Sequence, residues 1–248
     1  LKKIEQINLD YLIDNQMINH YFQPIYDIQF NGKLSGYEAL LRSNSVKSNE
    51  SLFHAARNSN RLFDLDTASI ILAAETWHNQ MERLSPNMNL FLTIHPSTIV
   101  SPGFTVLSRE IFNSEAISPE QVVFVINEPA IEDYASLKRA TSNLKSIGFQ
   151  IAVSNVRREV SSIQQCLDLQ PDIIRLDACL SFRLADSSHL QQILTSLLDF
   201  GDYNYPRIAI EWIQTNRDFP VTKSLGAASD IGHLSEKQIS KKRDIPVS

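Results

Sequence analysis

Only two cysteines, Cys166 and Cys179, occur in 248 residues, and they do not form a CxxC pair. That sets aside a disulfide framework and a thiolate metal site. Glycine is scarce, at 7 residues, and no GxGxxG or P-loop run appears, so a glycine-rich phosphate cradle is excluded. The serines, histidines and aspartates show no nucleophile-elbow pattern. No apolar run approaches the ~18 residues that span a bilayer, and no charged-then-apolar leader opens the chain. Positive charge is thin as well. The net charge is −5, and the one dense basic run, Lys241-Lys242-Arg243, lies near the end. Wrapping of nucleic acid is disfavoured, whereas a small anionic ligand needs only a local pocket.

What is present is a hydrophobic content of 43%, enough at this length for one barrel-sized domain. Short apolar runs rich in β-branched residues alternate with amphipathic stretches, the pattern of β/α units around a parallel sheet. Strands are expected over His20–Ile25, Tyr37–Leu41, Phe91–Ile94, Val122–Ile126, Gln150–Val153, Ile173–Leu176, Arg207–Ile210 and, weakly, Ala227–Ile231. Helical spacing covers Leu65–Met81, Ile131–Ile147 and Ser187–Phe200, and Ser118-Pro119-Glu120-Gln121 reads as a turn. Eight such strands in this alternation predict a TIM-like (β/α)8 barrel. We expect a helix or linker over 1–17, the barrel over 18–240 and a polar tail over 241–248. The chain opens on Leu1 rather than Met, as a segment of a longer polypeptide would, so upstream sensor or membrane domains stay open. The segment itself reads as cytoplasmic, either alone or as the cytosolic part of a membrane-anchored protein.

The run Tyr37-Glu38-Ala39-Leu40-Leu41-Arg42, preceded by Tyr21-Phe22-Gln23-Pro24-Ile25, carries the strongest signal. With strand period two, Glu38 and Arg42 point the same way. A carboxylate and a guanidinium aimed at one spot suit a phosphate-bearing ligand. A half-buried salt bridge at a strand end is the other reading of those six residues.

The rest of the chain decides between them, because from about Ile18 to Ile239 it resembles the EAL family of cyclic di-GMP phosphodiesterases. After the Glu-Ala-Leu-Leu-Arg run come His54-Ala55-Ala56-Arg57 with Leu65-Asp66, and then Phe91-Leu92-Thr93-Ile94-His95-Pro96. Val122–Glu128, Gly148–Asn155, Pro171–Asp177 and Ile208–Glu211 follow in the family's order. The resemblance implies a barrel with one antiparallel strand beside the signature, consistent with the tight Asn31-Gly32 turn. It also implies two divalent cations at the strand ends, which activate a water and neutralise the phosphate. Hard cations such as Mg²⁺ or Mn²⁺ need clustered oxygen ligands.

Of the ligand positions the resemblance assigns, Glu38 and Glu211 are kept. Thr93, Val125, Ser154 and Asn155 stand where the family has Asn, Glu, Asp and Asp. Val125 offers no oxygen and the other three only neutral ones. The family's water-orienting lysine is Arg175, which is always charged but is not a compact point charge. Glu128 and Asp177 match the family. The loop Val156–Val160 has lost its glycines, and the family's Gln-Gly pair is Ile231-Gly232.

Gln23, Leu40, Arg42, Asp66 and Pro96 match positions that touch the nucleotide in the family. Arg42 can fork onto a phosphate, while Asp66 and Glu211 can accept from a guanine edge. Against this, Asp66 reads equally as a first-turn helix carboxylate. Glu211, beside Trp212, needs a partner if buried. His95 reads as structural rather than as a substitute metal ligand.

The expectation is a degenerate EAL domain without a catalytic residue or a resident cofactor, binding Mg or Mn weakly at most. It would bind cyclic di-GMP through Gln23, Glu38, Leu40, Arg42, Asp66, Pro96, Asp177 and Glu211, and signal to a protein partner, with a homodimer left open. The alternatives are a protein-interaction scaffold without nucleotide affinity and, third, a residual metal-dependent phosphodiesterase.

Overall fold

Runs that are apolar on both faces belong to strands covered on both sides, and here they close on one another. The computed structural model describes residues 12, 17–27, 33–43, 46, 48–81, 88–115, 117–127, 131–156, 165–177, 184–201, 206–211, 217–225 and 229–231. The strands are β1 (Ile18–Asp27), β2 (Lys33–Ser43), β3 (Asn89–Ile94), β4 (Val122–Asn127), β5 (Gln150–Val156), β6 (Ile173–Leu176), β7 (Arg207–Glu211) and β8 (Ser229–Ile231). They form a closed barrel in sequence order. β1 runs antiparallel to both β2 and β8, and every other neighbouring pair is parallel. The expected antiparallel strand beside the signature is therefore present, whereas Asn31-Gly32 lies outside the described residues.

Side-chain alternation divides the core in two. Ile25, Phe91, Val123, Val125, Ala152, Ile173 and Ala209 fill the lumen. Leu92, Phe124, Ile151, Ile174 and Ile208, from the opposite parity, belong to the core under the helices. Phe124 is the hub of an aromatic cluster, with ring centroids 5.7 Å from Phe104, 6.1 Å from Phe112 and 5.2 Å from Phe149. Tilted and edge-on rings at such spacing add ~0.5–1.5 kcal/mol per pair beyond the area they bury.

The helices are α1 (Asn49–Asn58), α2 (Leu62–Thr76), α3 (Pro96–Ile99), α4 (Phe104–Ser114), α5 (Tyr134–Ile147), α6 (Ser188–Gly201) and α7 (Asp218–Leu225). Where one helix was expected over Leu65–Met81, α2 begins three residues earlier and gives way to a π-helical turn at Trp77–Met81. Segment Ser118–Gln121 is a 3₁₀ turn closed by a capping box. Helix α5 starts on the Asp133 side chain, which accepts from Ser136 N–H at 3.0 Å, and ends at Gly148 with φ 115°. Only glycine takes that backbone conformation without strain. Helices α1, α3, α4 and α7 go beyond the expected helical segments; α3, at 4 residues, is too short for a period to show. Gly36 on β2 answers a different need: a Cβ there would collide with the Asn89 carbonyl oxygen of β3. The expected terminal pieces over 1–17 and 241–248 fall almost wholly outside the described residues. Among those described, no helix is long and apolar enough to cross a membrane.

Candidate functional site

The parallel strands end at one mouth of the barrel, and the inverted β1 begins there. On β2, Ala39 and Leu41 belong to clusters under the helices, so Glu38, Leu40 and Arg42 face the lumen and its mouth. Their cross-strand partners on β1 are Gln23, Tyr21 and Asn19, respectively. Burial falls along the row: Glu38 is 5% exposed, Leu40 is half-buried and Arg42 is exposed.

Glu38 does not wait for a ligand. Its Oε2 accepts from Arg175 Nη2 at 2.8 Å, and its Oε1 accepts from Thr93 Oγ1 at 3.2 Å. Arg175 is itself 5% exposed and lies on β6, four strands around the ring of eight from β2. Arg42 stands at the rim and donates from Nη1 to the Leu41 carbonyl at 2.9 Å. The buried cation facing the signature carboxylate is therefore Arg175 and not Arg42.

The neighbouring positions are neutral. Val125 is 1% exposed in the lumen. Ser154 Oγ donates to the Ile126 carbonyl at 3.4 Å, and Asn155 Nδ2 donates to Asn127 Oδ1 at 2.9 Å. Asn155 adopts φ 56° where the β5–β6 register slips between Val153 and Val156. Asparagine is one of the few non-glycine residues that takes this left-handed conformation readily. Asp177 is half-buried just past β6, and its N–H donates to the Val156 carbonyl at 3.2 Å. Glu211 closes β7 and pairs with Ile231 of β8. Glu128, the loop 157–160 and Gly232 lie outside the described residues.

A two-cation centre asks for clustered carboxylates, and the described side chains do not supply them. Glu38 is shared between a guanidinium and a hydroxyl, and no group of three His, Cys, Asp or Glu among the described residues is arranged to hold a metal. This donor set does not fit two hard dications.

Asp66, on α2, is 2% exposed. Its Oδ2 accepts from Thr98 Oγ1 at 2.6 Å and from His95 N–H at 3.1 Å, which ties α2 to the turn that starts α3. Burial pushes its pKa up to about 6, against those two hydrogen bonds. His95 caps α3. Its Nδ1 accepts from Ser97 N–H at 3.3 Å and lies 2.8 Å from Ser97 Oγ, while Arg57 Nη2 lies 3.0 Å from its Nε2. Burial, with Arg57 second, lowers the His95 pKa. A cleft of about 430 Å³ opens beside this pair, lined by Arg57, Leu62, His95, Pro96, Glu132 and Leu137 among others. Pro96 is buried in its wall.

Of the candidates named from sequence, the fold gathers Glu38, Leu40 and Arg42 in one row on β2 with Gln23 beside Glu38, and sets Asp66 against the turn at which Pro96 starts α3. It adds two features that sequence reasoning missed: the Arg175–Glu38 pair across the lumen and the outward Tyr21. A lone arginine in the apolar strand Ile173–Leu176 was the legible sign of the first, since a buried cation demands a carboxylate.

A closed barrel with an inverted first strand and a Glu-Ala-Leu-Leu-Arg row at its mouth defines an EAL-type domain. The chain belongs to the EAL domain family, whose model matches residues 7–235. It is 23% identical over 233 residues to the probable cyclic di-GMP phosphodiesterase PdeB of Escherichia coli K12, covering 92% of this chain and 44% of that relative. The chain thus spans less than half of that relative's length. The fold is shared with the Xanthomonas citri FimX EAL domain in complex with cyclic di-GMP, at TM-score 0.81 and 15% identity over 90% of this chain and 88% of that one. It is shared as well with Klebsiella pneumoniae BlrP1 in a calcium and cyclic di-GMP complex, at TM-score 0.79 and 20% identity over 92% and 57%.

Proposed function

We propose that this chain is a catalytically inactive EAL domain that binds cyclic di-GMP without a metal and acts as a receptor or regulator in second-messenger signalling. The observation that carries the reading is the closure of Glu38 by Arg175 at 2.8 Å. A carboxylate neutralised from within the barrel has no charge to spare for a cation. Arginine at this position therefore does more than replace a lysine: its guanidinium reaches Glu38 directly and holds that carboxylate.

Binding is supported by a different set of atoms. Arg42 is exposed at the rim with one nitrogen on Leu41 O, which leaves the rest of the guanidinium for a phosphate. Gln23 and Leu40 line the approach below it. The FimX and BlrP1 structures both hold cyclic di-GMP, and we carry that ligand over to this chain as the candidate. Glu38 is paired with Arg175, and Asp66 Oδ2 is held by Thr98 and His95, so neither is as open to a ligand as Arg42. The second reading, a protein-interaction scaffold without nucleotide affinity, is favoured by that commitment of Asp66 to Thr98 and His95.

Calorimetric titration separates the two readings. The receptor binds cyclic di-GMP equally well in EDTA and in Mg²⁺, and Arg42→Ala weakens binding by roughly 1.5–3 kcal/mol, the scale of a charge-assisted hydrogen bond. Equal affinity of Arg42→Ala removes that residue from the site, and absence of binding at high micromolar ligand selects the scaffold.

A further inference from the structure

The lumen-facing side of the β1–β2 ribbon continues beyond the Gln23–Glu38 pair toward solvent. The next cross-strand pair is Tyr21 with Leu40, and the one after it is Asn19 with Arg42. At ~3.4 Å rise per residue, each pair stands about 7 Å above the last. The chain neighbours of Tyr21 point the other way: His20 Nε2 lies 2.9 Å from Ser69 Oγ on α2, and the Phe22 ring packs 6.0 Å from that of Trp77. Tyr21 therefore faces the mouth, and it is 58% exposed. The other exposed large apolar residues among those described, Ile71, Val100 and Val106, are aliphatic.

An open aromatic face flanked by a half-buried leucine, with a guanidinium one pair above and an amide one pair below, is a sandwich of distinct chemistries. The ring suits the π-face of a base, which every nucleobase has. Arg42 suits the adjoining phosphate, and the Gln23 amide can both donate and accept at a base edge. We propose that Tyr21 is the plate on which one purine base of the cyclic dinucleotide stacks, with Leu40 beside it, an assignment that rests on the receptor reading above. The ligand is held at the rim by Tyr21 and Arg42, while the closed Arg175–Glu38 pair forms the floor. Affinity then comes from stacking and one charge, and not from the centre of the barrel.

Titration of cyclic di-GMP in EDTA against wild type, Tyr21→Ala, Tyr21→Phe and Tyr21→Trp tests this. Tyr21→Ala weakens binding about tenfold or more, the range of base–aromatic stacking measured by alanine substitution, whereas Phe and Trp keep it within about threefold. Wild-type affinity in Tyr21→Ala overturns the inference, and if Arg42→Ala still loses affinity the receptor reading stands. Equal losses in Phe and Ala assign the contact to the hydroxyl and overturn stacking. Absence of binding by the wild type overturns both. The ring is exposed, so all three variants keep the wild-type Tm; a fall in Tm for Tyr21→Ala would make the plate a structural residue and also sink the proposal.

Discussion

Arg175 and Glu38 are 137 positions apart in sequence and meet across the barrel lumen, Nη2 to Oε2 at 2.8 Å, with side chains only 6% and 7% exposed. Such a pair is held by geometry more than by net energy, because desolvating both charges offsets most of their attraction. Breaking it from one side leaves an uncompensated buried charge. Arg175→Met is therefore expected to destabilise the domain by ~3–5 kcal/mol in urea unfolding, and the double substitution with Glu38→Gln by clearly less. A double variant as unstable as the sum of the two singles would show that the residues do not interact.

Hydrolysis is the second test. With Thr93, Val125, Ser154 and Asn155 on the strand ends, the isolated domain is expected to release no linear product from cyclic di-GMP in Mg²⁺ or Mn²⁺. Turnover at roughly 1 s⁻¹ or faster, as ordinary enzymes reach, would overturn the inactive reading. Restoring Asn, Glu, Asp and Asp at those positions with Arg175 left in place is expected to stay inactive, because Glu38 remains paired. Adding Arg175→Lys to that variant is the stricter comparison.

Asp66 gives the fold a pH dependence whose sign is fixed. Its pKa is raised from 3.8 to about 6, so between those values the folded chain holds a proton that the unfolded chain releases. Stability from this group is complete below pH 3.8 and is lost as pH rises through about 6. A rise of that size is worth roughly 3 kcal/mol at most. Asp66→Asn keeps an acceptor for Thr98 and His95 without the charge, so its stability relative to wild type should rise between pH 4 and 7. A difference that does not change with pH would show that Asp66 ionises normally. His20, pushed down to about 4 by burial, runs the opposite way: its contribution is present above 6.5 and lost as pH falls through about 4. The Asp66→Asn comparison cancels it.

Two backbone positions make a paired test. Asn155 has φ 56°, so Asn155→Gly should lose only the side-chain bond to Asn127, and Asn155→Ala should cost about 1 kcal/mol more than Asn155→Gly. Gly36→Ala drives a Cβ into the Asn89 carbonyl and should cost about 1–3 kcal/mol through separation of β2 from β3. Thermal unfolding reads both. A wild-type Tm in Gly36→Ala would mean that the two strands yield freely there.

The barrel is legible because buried parallel strands leave contiguous apolar runs. Ile173–Leu176 has the same bounds in sequence and in structure, and Val122–Ile126 differs by one residue. The Glu38–Arg42 spacing correctly places both residues on one face. Which cation Glu38 takes is not legible, because that depends on ring closure bringing β6 opposite β2. The partners of Asp66 are 29 and 32 residues away and come within reach only when α3 docks. Short helices such as Pro96–Ile99 carry too few residues for a period to show. Tyr21 reads as an ordinary strand residue until the contacts of His20 and Phe22 with α2 and its end fix which way it turns.

The inversion of β1 also sets where the polypeptide enters. In a barrel whose strands all ran alike, the chain would arrive at the base, far from the mouth. Here Ile18 pairs with Ser43 at the mouth, and Leu12, 3% exposed, packs with Ile18, Leu41 and Leu52 on the same side. Doorway and keyhole therefore share one wall. The rim residues belong to, or pair with, the first stretch of the entering strand, with Tyr21 three residues past Ile18 and Arg42 paired with Asn19.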